Sequence, residues 1–277
     1  MDDLSALVAD WPVERVAVGV TTATGVVGTA GDQHWQVRIA SVSKLLVGMA
    51  ALVAIEEGAI TLTEPAGPPG ATVEHLLAHA AGLARDEPRP MSAPARRRMY
   101  SNAGIEQAAD HLAARTGIGF ADYLQQSVLD PLGMRDTTLV GSPAHGVVST
   151  VSDLLRFARE LLHPRLVSAS TLADATTPHF PQLAGVLPGL GRHDPNPWGL
   201  TFEIRGEKSP HWTGSRNSPG TFGHFGATGT FLWVDPVAGL GCVALAEREF
   251  GPWAAQVWPT FSDAVIERTV GNRAGAA

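Results

Sequence analysis

Ser41 and Lys44 stand three positions apart in "RIASVSKLL", at the head of an apolar run. On a helix that spacing puts hydroxyl and amine on one face, one turn apart. A serine hydroxyl is a weak nucleophile until a neighbour takes its proton. A lysine stripped of water by a packed core is driven toward the neutral amine that can take it. The pair reads as nucleophile and base of an acyl-transfer reaction. It also has an ordinary competing use, because serine caps helices by accepting a free backbone N–H.

Two further stretches bear on that choice. "MYSNAG" supplies Tyr100 and Asn102, and the chain has only one other tyrosine, Tyr123, in the amphipathic "FADYLQQ" where packing accounts for it. Tyr100 can share a proton with Ser41 and Lys44, or it can be a loop aromatic with a bonded hydroxyl. Asn102 carries both a donor and an acceptor, suited to a substrate amide or to the lysine ammonium. "FGHFGATG" supplies His224, Gly226 and Ala227, with glycines that let backbone approach a ligand closely. The N–H groups of Ser41 and Ala227 are candidates for an oxyanion hole. His224 reads as a substrate contact or as a core histidine donating to a carbonyl. Lysine is rare here: of 20 cationic side chains, only Lys44 and Lys208 are lysine. Arginine stays charged at any working pH, whereas a buried lysine can serve as a base.

The elements that must position these groups follow from the hydropathy pattern. Residues 14–30 alternate around a Gly/Thr turn and predict a strand hairpin, and "HWQVRIA" predicts a third strand leading into Ser41. Ser43 to Glu57 is apolar on nearly every face, with Gly58 as a stop, and predicts a buried central helix with Ser41 at its positive pole. "TVEHLLAHAAGL", "AGIEQAADHLAARTG", "FADYLQQSVLDPLG" and "TVSDLLRFARELLHP" show helical spacing between Pro/Gly-rich connectors. The long "TTPHFPQLAGVLPGLGRHDPNPW" is of the kind that forms a lid or stays disordered. "WGLTFEIR", "GTFLWVDP" and "GLGCVALAERE" predict strands, and a helix covers about Trp253 to Val270. The expected fold class is α+β: an antiparallel sheet flanked by helices, with an inserted all-helical subdomain. The sheet domain is assigned to residues 1–60 plus 195–277 and the helical insert to 61–194.

Bulk properties exclude other classes. The 277 residues carry a net charge of −7, which disfavours nucleic acid as a partner because phosphates need a basic face. The longest apolar run, Leu45 to Ile55, is too short to span a bilayer, so no membrane role is expected. The acidic "MDDLSALVADWP" lacks a basic n-region and an apolar h-region, which gives a cytoplasmic expectation. The single Cys242 reads as a buried strand residue packing as a small hydrophobe.

The three motifs, in this order, resemble the serine β-lactamase and penicillin-binding-protein-like superfamily, within it the branch of class C β-lactamases, DD-peptidases and family VIII esterases. That branch carries Ser-x-x-Lys, Tyr-x-Asn and a Lys/His-x-Gly element, here Ser41-Val-Ser-Lys44, Tyr100-Ser-Asn102 and His224-Phe-Gly226. "HLLAHAAGL", "LDPLGMRDTT", "GVVSTVSDLLRFARELL" and "GHFGATGTFLWVDP" are similar to the family's framing segments, so the likeness runs from about residue 14 to 247. It implies a β-lactamase/transpeptidase-like fold and two-step hydrolysis of an ester or amide through a Ser41 acyl-enzyme, and the cytoplasmic expectation favours a small ester or amide over cell-wall peptides or β-lactams. β-Lactamase or DD-peptidase activity is the alternative, and no cofactor is implied. This sequence departs from the family at Ala80-Ala81, where relatives have Thr-Ser, and in the short segment before Tyr100, which implies a reduced wall of the cleft.

Competing sites are also present. His75 and His79, at i and i+4, invite a zinc reading, but Leu76 stands where a zinc-protease helix needs glutamate. A metallohydrolase on that pair, or a ligand-binding relative without chemistry, remains open. "HWTGS" imitates the third motif at Thr213-Gly214-Ser215 but lies in a polar loop. "ARRRM", from Arg96, is either a solvated face or a patch that steers anionic substrates and lowers the Lys44 pKa.

Overall fold

The computed structural model describes residues 3–274. The short α1 (Ser5–Val8) precedes the expected hairpin, β1 (Val16–Thr21) and β2 (Val26–Ala30). β3 (Val37–Arg38) leads through a single tight turn at Ala40–Val42 into α2 (Ser43–Glu56). There follow α3 (Val73–Leu77), α4 (Asn102–Thr116), α5 (Phe120–Leu124), α6 (Asp130–Leu132), β4 (Thr138–Leu139) and β5 (Val147–Ser149). Next come α7 (Val151–Leu162), α8 (Ala169–Ala175), β6 (Gly185–Leu187), β7 (Gly191–His193) and β8 (Glu203–Ile204). The chain ends with β9 (Phe222–Gly226), β10 (Thr230–Asp235), β11 (Leu240–Ala246) and α9 (Pro252–Ala274).

The main sheet is antiparallel with strand order β2-β1-β11-β10-β9-β8. β10 and β11 are buried at every position, because both faces of the sheet are covered. Leu232, Val234, Val243 and Leu245 point into the core shared with α2 and α7. Their neighbours Trp233, Cys242 and Ala244 point the other way, against α1 and α9, as the period of two requires. That second face is aromatic, with Trp258 meeting Phe231 edge-on at 5.0 Å and Trp11 meeting Phe261 at 5.3 Å. The α+β architecture expected from the sequence is the one observed.

Several local expectations are corrected. "HWQVRIA" forms the expected strand leading into Ser41, shortened to β3, and that strand lies outside the main sheet, pairing with β5, which pairs with β4, in a separate three-stranded sheet. Residues 61–194 therefore hold strands β4 to β7 and long connectors as well as helices, rather than being all-helical. α7 also lies on the main sheet instead of standing apart from it. Strand glycines make room for it: a Cβ at Gly19 would sit 2.6 Å from Leu155, and one at Gly241 would sit 2.9 Å from Ala158. "TVEHLLAHAAGL" is helical only over α3, since His79 turns left-handed at φ +54° and directs the chain toward the site. The long connector after residue 176 forms the β6–β7 hairpin.

The turn that carries Ser41 is held from both sides. Ile39 N–H donates to Val147 O at 2.9 Å, and Ile39 O accepts from Thr230 Oγ1 at 2.9 Å. Thr228 Oγ1 donates to Arg38 O at 2.7 Å. β9 passes so close that a Cβ on Gly226 would lie 2.4 Å from Thr230 Oγ1 and 2.5 Å from Ile39 O. Gly226→Ala is expected to push this turn away and lower stability by about 1–3 kcal/mol, as overpacking does. Chemical denaturation of the two proteins checks it, and equal midpoints would refute the close-approach reading.

Candidate active site

α2 is apolar on all sides, so Lys44 in its first turn is wholly buried. Its Nζ meets three oxygens: Ser41 Oγ at 3.2 Å, Asn102 Oδ1 at 2.7 Å and Ala144 O at 2.9 Å. Burial drives the lysine pKa well below its ordinary value, and the positive charge of Arg85 pushes in the same direction. Two of the three partners are pure acceptors and claim two N–H bonds of a neutral amine. The third partner is a hydroxyl, which can accept from an ammonium or donate to the amine lone pair. The cage thus accommodates both protonation states without moving an atom heavier than hydrogen.

The orientation of the Asn102 amide is set from behind. Its Nδ2 donates to Asp86 Oδ1 at 2.6 Å, so Oδ1 must face the lysine. Asn102 opens α4, whose N-cap Ser101 accepts from Gly104 N at 3.0 Å and donates to Ala84 O at 2.6 Å. The Ala144 carbonyl is presented by a turn in which Ser142 Oγ accepts from Ala144 N and donates to Glu106.

Tyr100 sits one residue before that cap, and its hydroxyl donates to Ser41 Oγ at 2.7 Å. Burial raises the phenol pKa further above its usual value, which keeps the proton on oxygen. The Lys44 Nζ lies 4.7 Å from the Tyr100 ring centroid, over its electron-rich face. The ring is walled by His79 at 4.7 Å, His224 at 5.7 Å and Trp198 at 5.9 Å.

His224 is buried in β9, and its Nδ1 lies 2.7 Å from Phe225 O. A carbonyl only accepts, so Nδ1 carries the proton and Nε2 keeps a bare lone pair, with no protein partner among the described residues. Burial lowers the His224 pKa to about 3, so the ring is neutral at working pH. A neutral acceptor does not suit a carboxylate; it suits a donor group on a substrate. Ala227 follows Gly226 and lines the same cavity as Ser41, His224 and Tyr100.

That cavity, of about 210 Å³, is closed by Leu187, Pro188 and Gly189 from the β6–β7 hairpin and by Phe250. A second groove of about 570 Å³ opens beside it, and Arg85, Tyr100 and Pro188 line both. Ser41, Lys44, Tyr100, Asn102, His224, Gly226 and Ala227 therefore converge from three segments of chain.

The competing motifs go elsewhere. His75 Nδ1 lies 2.9 Å from Thr72 Oγ1 and its ring packs on Phe180, while His79 accepts from Ser101 N–H at 3.2 Å. The "HWTGS" segment is tied to α9, Ser215 Oγ donating to Asp263 Oδ2 at 2.9 Å. Of the "ARRRM" arginines, Arg98 turns inward and donates to four carbonyl oxygens. The positive charge that adds to burial in lowering the Lys44 pKa is that of Arg85, opposed by the carboxylates of Glu106 and Asp86, none of which sequence reading had singled out. Trp198 and the Ala144 carbonyl were also missed, the second because a backbone group leaves no mark in residue type.

The chain matches the Beta-lactamase family model over residues 13–265 and belongs to that family of hydrolases. It resembles the crystal structure of a β-lactamase from Mycobacterium bovis, with 51% identity and a TM-score of 0.94, covering 95% of this chain and 98% of that one. Simvastatin synthase from Aspergillus terreus shares the fold at 17% identity and a TM-score of 0.79, covering 96% of this chain and 93% of that one. By sequence it is 26% identical over 199 residues to the Escherichia coli K12 D-alanyl-D-alanine-carboxypeptidase/endopeptidase AmpH. That match covers 50% of this chain and 52% of the relative, so the chain aligns with about half the length of the sequence relatives it matches. Among the described residues no helix is long and apolar enough to cross a membrane.

His79 and His224 both resist protonation in the fold, His79 through burial and then the charge of Lys44. The unfolded chain binds those protons near pH 6.5, so stability is full above that pH and declines as pH falls toward about 3. His224→Gln is expected to make the fall in Tm between pH 7 and pH 5 shallower than in the wild-type protein. Parallel slopes in a thermal-melt series would contradict a buried neutral imidazole.

Proposed function

We propose that this chain hydrolyses small esters or amides through an acyl-enzyme on Ser41. The observation that carries the reading is the three-way contact in which Ser41 Oγ lies 3.2 Å from Lys44 Nζ and 2.7 Å from the Tyr100 hydroxyl. Lys44, held toward its neutral form by burial, takes the Ser41 proton as Oγ attacks the carbonyl carbon. The substrate carbonyl oxygen gains the negative charge and faces the N–H groups of Ser41 and Ala227. Collapse breaks the bond to the leaving group, which receives a proton through Tyr100, and Tyr100 is resupplied from Lys44. Water then attacks the acyl carbon by the same route in reverse and frees Ser41. Tyr100 acts as a neutral relay rather than as a phenolate, since burial raises its pKa. His224 Nε2 offers the substrate an acceptor.

Reaction of the intact protein with a fluorophosphonate probe tests the nucleophile. Mass spectrometry is expected to show one adduct on the wild-type protein and none on Ser41→Ala. Equal labelling of both would dismiss Ser41.

The likeness to the M. bovis β-lactamase favours a second reading, lactam hydrolysis. The small ester is preferred because the cavity at Ser41 is about 210 Å³ with walls of Leu187, Pro188, Trp198 and Phe250, which fits a compact acyl group. Short-chain p-nitrophenyl esters are accordingly expected to give a kcat/KM at least about tenfold above that of nitrocefin, a difference of about 1.4 kcal/mol in activation free energy. The reverse order would establish the lactamase reading.

A further inference from the structure

Two sequence features that the reaction leaves unused meet at one buried carboxylate. Lys208 is the second of only two lysines, and His211 and Trp212 belong to the "HWTGS" segment. Both features converge on Glu203, which opens β8 and is 1% exposed. Lys208 Nζ donates to Glu203 Oε1, and Trp212 Nε1 donates to Oε2 at 2.8 Å. His211 Nε2 lies 2.9 Å from the same Oε2. Thr213 N–H donates to His211 Nδ1 at 3.1 Å, so Nδ1 is the bare nitrogen and Nε2–H is the one that donates to Glu203. Burial disfavours the Glu203 charge, yet Lys208 and His211 together outweigh burial and hold the carboxyl below its usual range.

The ammonium of Lys208 has three N–H bonds and three acceptors. Besides Glu203 it donates to Ile204 O at 2.6 Å and to Pro197 O at 2.9 Å. Ile204 N–H reaches that Pro197 oxygen only at 3.4 Å, so the lysine is its main partner. The peptide it holds leads directly into Trp198. On either side, Asn196 O accepts from Arg98 Nε at 3.2 Å and Trp198 O accepts from His179 N–H at 2.8 Å. Three successive carbonyls are thus anchored, but the indole is not. Its Nε1 is buried with no protein partner among the described residues. The ring packs edge-on against His79 at 4.8 Å and His224 at 5.5 Å. Lys208 Nζ stands 6.0 Å from the ring centroid, the outer limit of a cation–π contact, so the amine acts on Trp198 chiefly through the Pro197 carbonyl.

Trp198 is a wall of the 210 Å³ chamber at Ser41. A ring of that size limits how much acyl chain enters, and its place depends on the peptide it hangs from. Stability alone is a weak reason for the pair behind it, since desolvating two buried charges offsets most of their attraction. We propose that Glu203 and Lys208 are positioning residues for Trp198 and, through it, set the acyl length that the chamber admits. This rests on the Ser41 hydrolase reading and adds what determines its acyl selectivity from outside the chamber.

Removing one partner strands the other's charge in the core, so Glu203→Gln and Lys208→Met are made together. The glutamine keeps an oxygen for His211 and Trp212, while Pro197 O loses its lysine. The readout is kcat/KM for 4-nitrophenyl acetate divided by that for 4-nitrophenyl hexanoate, a quotient that a smaller fraction of folded enzyme leaves unchanged. The double variant is expected to lower it about fivefold or more, and Trp198→Ala to lower it at least as far. With Trp198→Ala already present, the two charge substitutions are expected to move it by less than about twofold, because the pair then has no wall to place. Lys208→Arg keeps the ion pair, and with it the fold, while its longer planar head re-aims the donors; it is expected to shift the quotient by about twofold or more. Unchanged quotients in both charge variants, or in Trp198→Ala, overturn the proposal. So does a shift of equal size with Trp198 already replaced, which would route the effect around the indole. Turnover of neither ester, together with a Ser41 that a fluorophosphonate leaves unlabelled, overturns the hydrolase reading and this assignment with it.

Discussion

A lysine amine in the middle of a hydrophobic core is the constraint around which this protein is arranged. An isolated ammonium there would cost far more than a domain's net stability. The fold answers by lowering the proton affinity of Lys44 and by bringing three oxygens to its Nζ. Each oxygen comes from a different place: the turn before α2, the start of α4 and the loop before β5. Satisfying one amine therefore joins the helical layer to the segment that carries Ser41. The supporting contacts, Asp86 on Asn102 and Glu106 on Ser142, are the second layer of that requirement.

The residues that form this cage were largely legible in the sequence, because spacing and side-chain type carry the signal. Ser41 and Lys44 are a helical turn apart whatever the tertiary structure, and the pair gains meaning from a rare lysine in an arginine-rich chain. Tyr100-Ser-Asn102 reads from type alone, and its Ser101 is the N-cap that starts α4. The parts that stayed hidden are those built from backbone or from irregular loops. The Ala144 carbonyl has no side-chain signature. Arg85 and Asp86 lie in a stretch with no periodicity to place them. Trp198 sits in a proline-rich loop that reads as filler until the fold packs it against His79 and His224.

Misplaced elements have a common physical origin. "HWQVRIA" has strand composition, but its pairing partner was decided by the Ser41 turn, which binds Val147 through Ile39 and so delivers β3 to β5. α7 reads as one more amphipathic helix of the insert, and only the missing side chains at Gly19 and Gly241 show that it must lie on the sheet. Periodicity identifies an element's buried face; it does not say what covers that face.

The arginines close the account of charge. Five guanidinium groups gather at one opening of a chain with an overall negative charge. Lysine would be the poorer choice there, since partial burial lowers an ammonium's proton affinity toward neutrality, whereas Arg98, the most buried of the five, is lowered only to about 10 and stays charged at neutral pH. The same charges act on the chemistry, because Arg85 is among the groups that lower the Lys44 pKa.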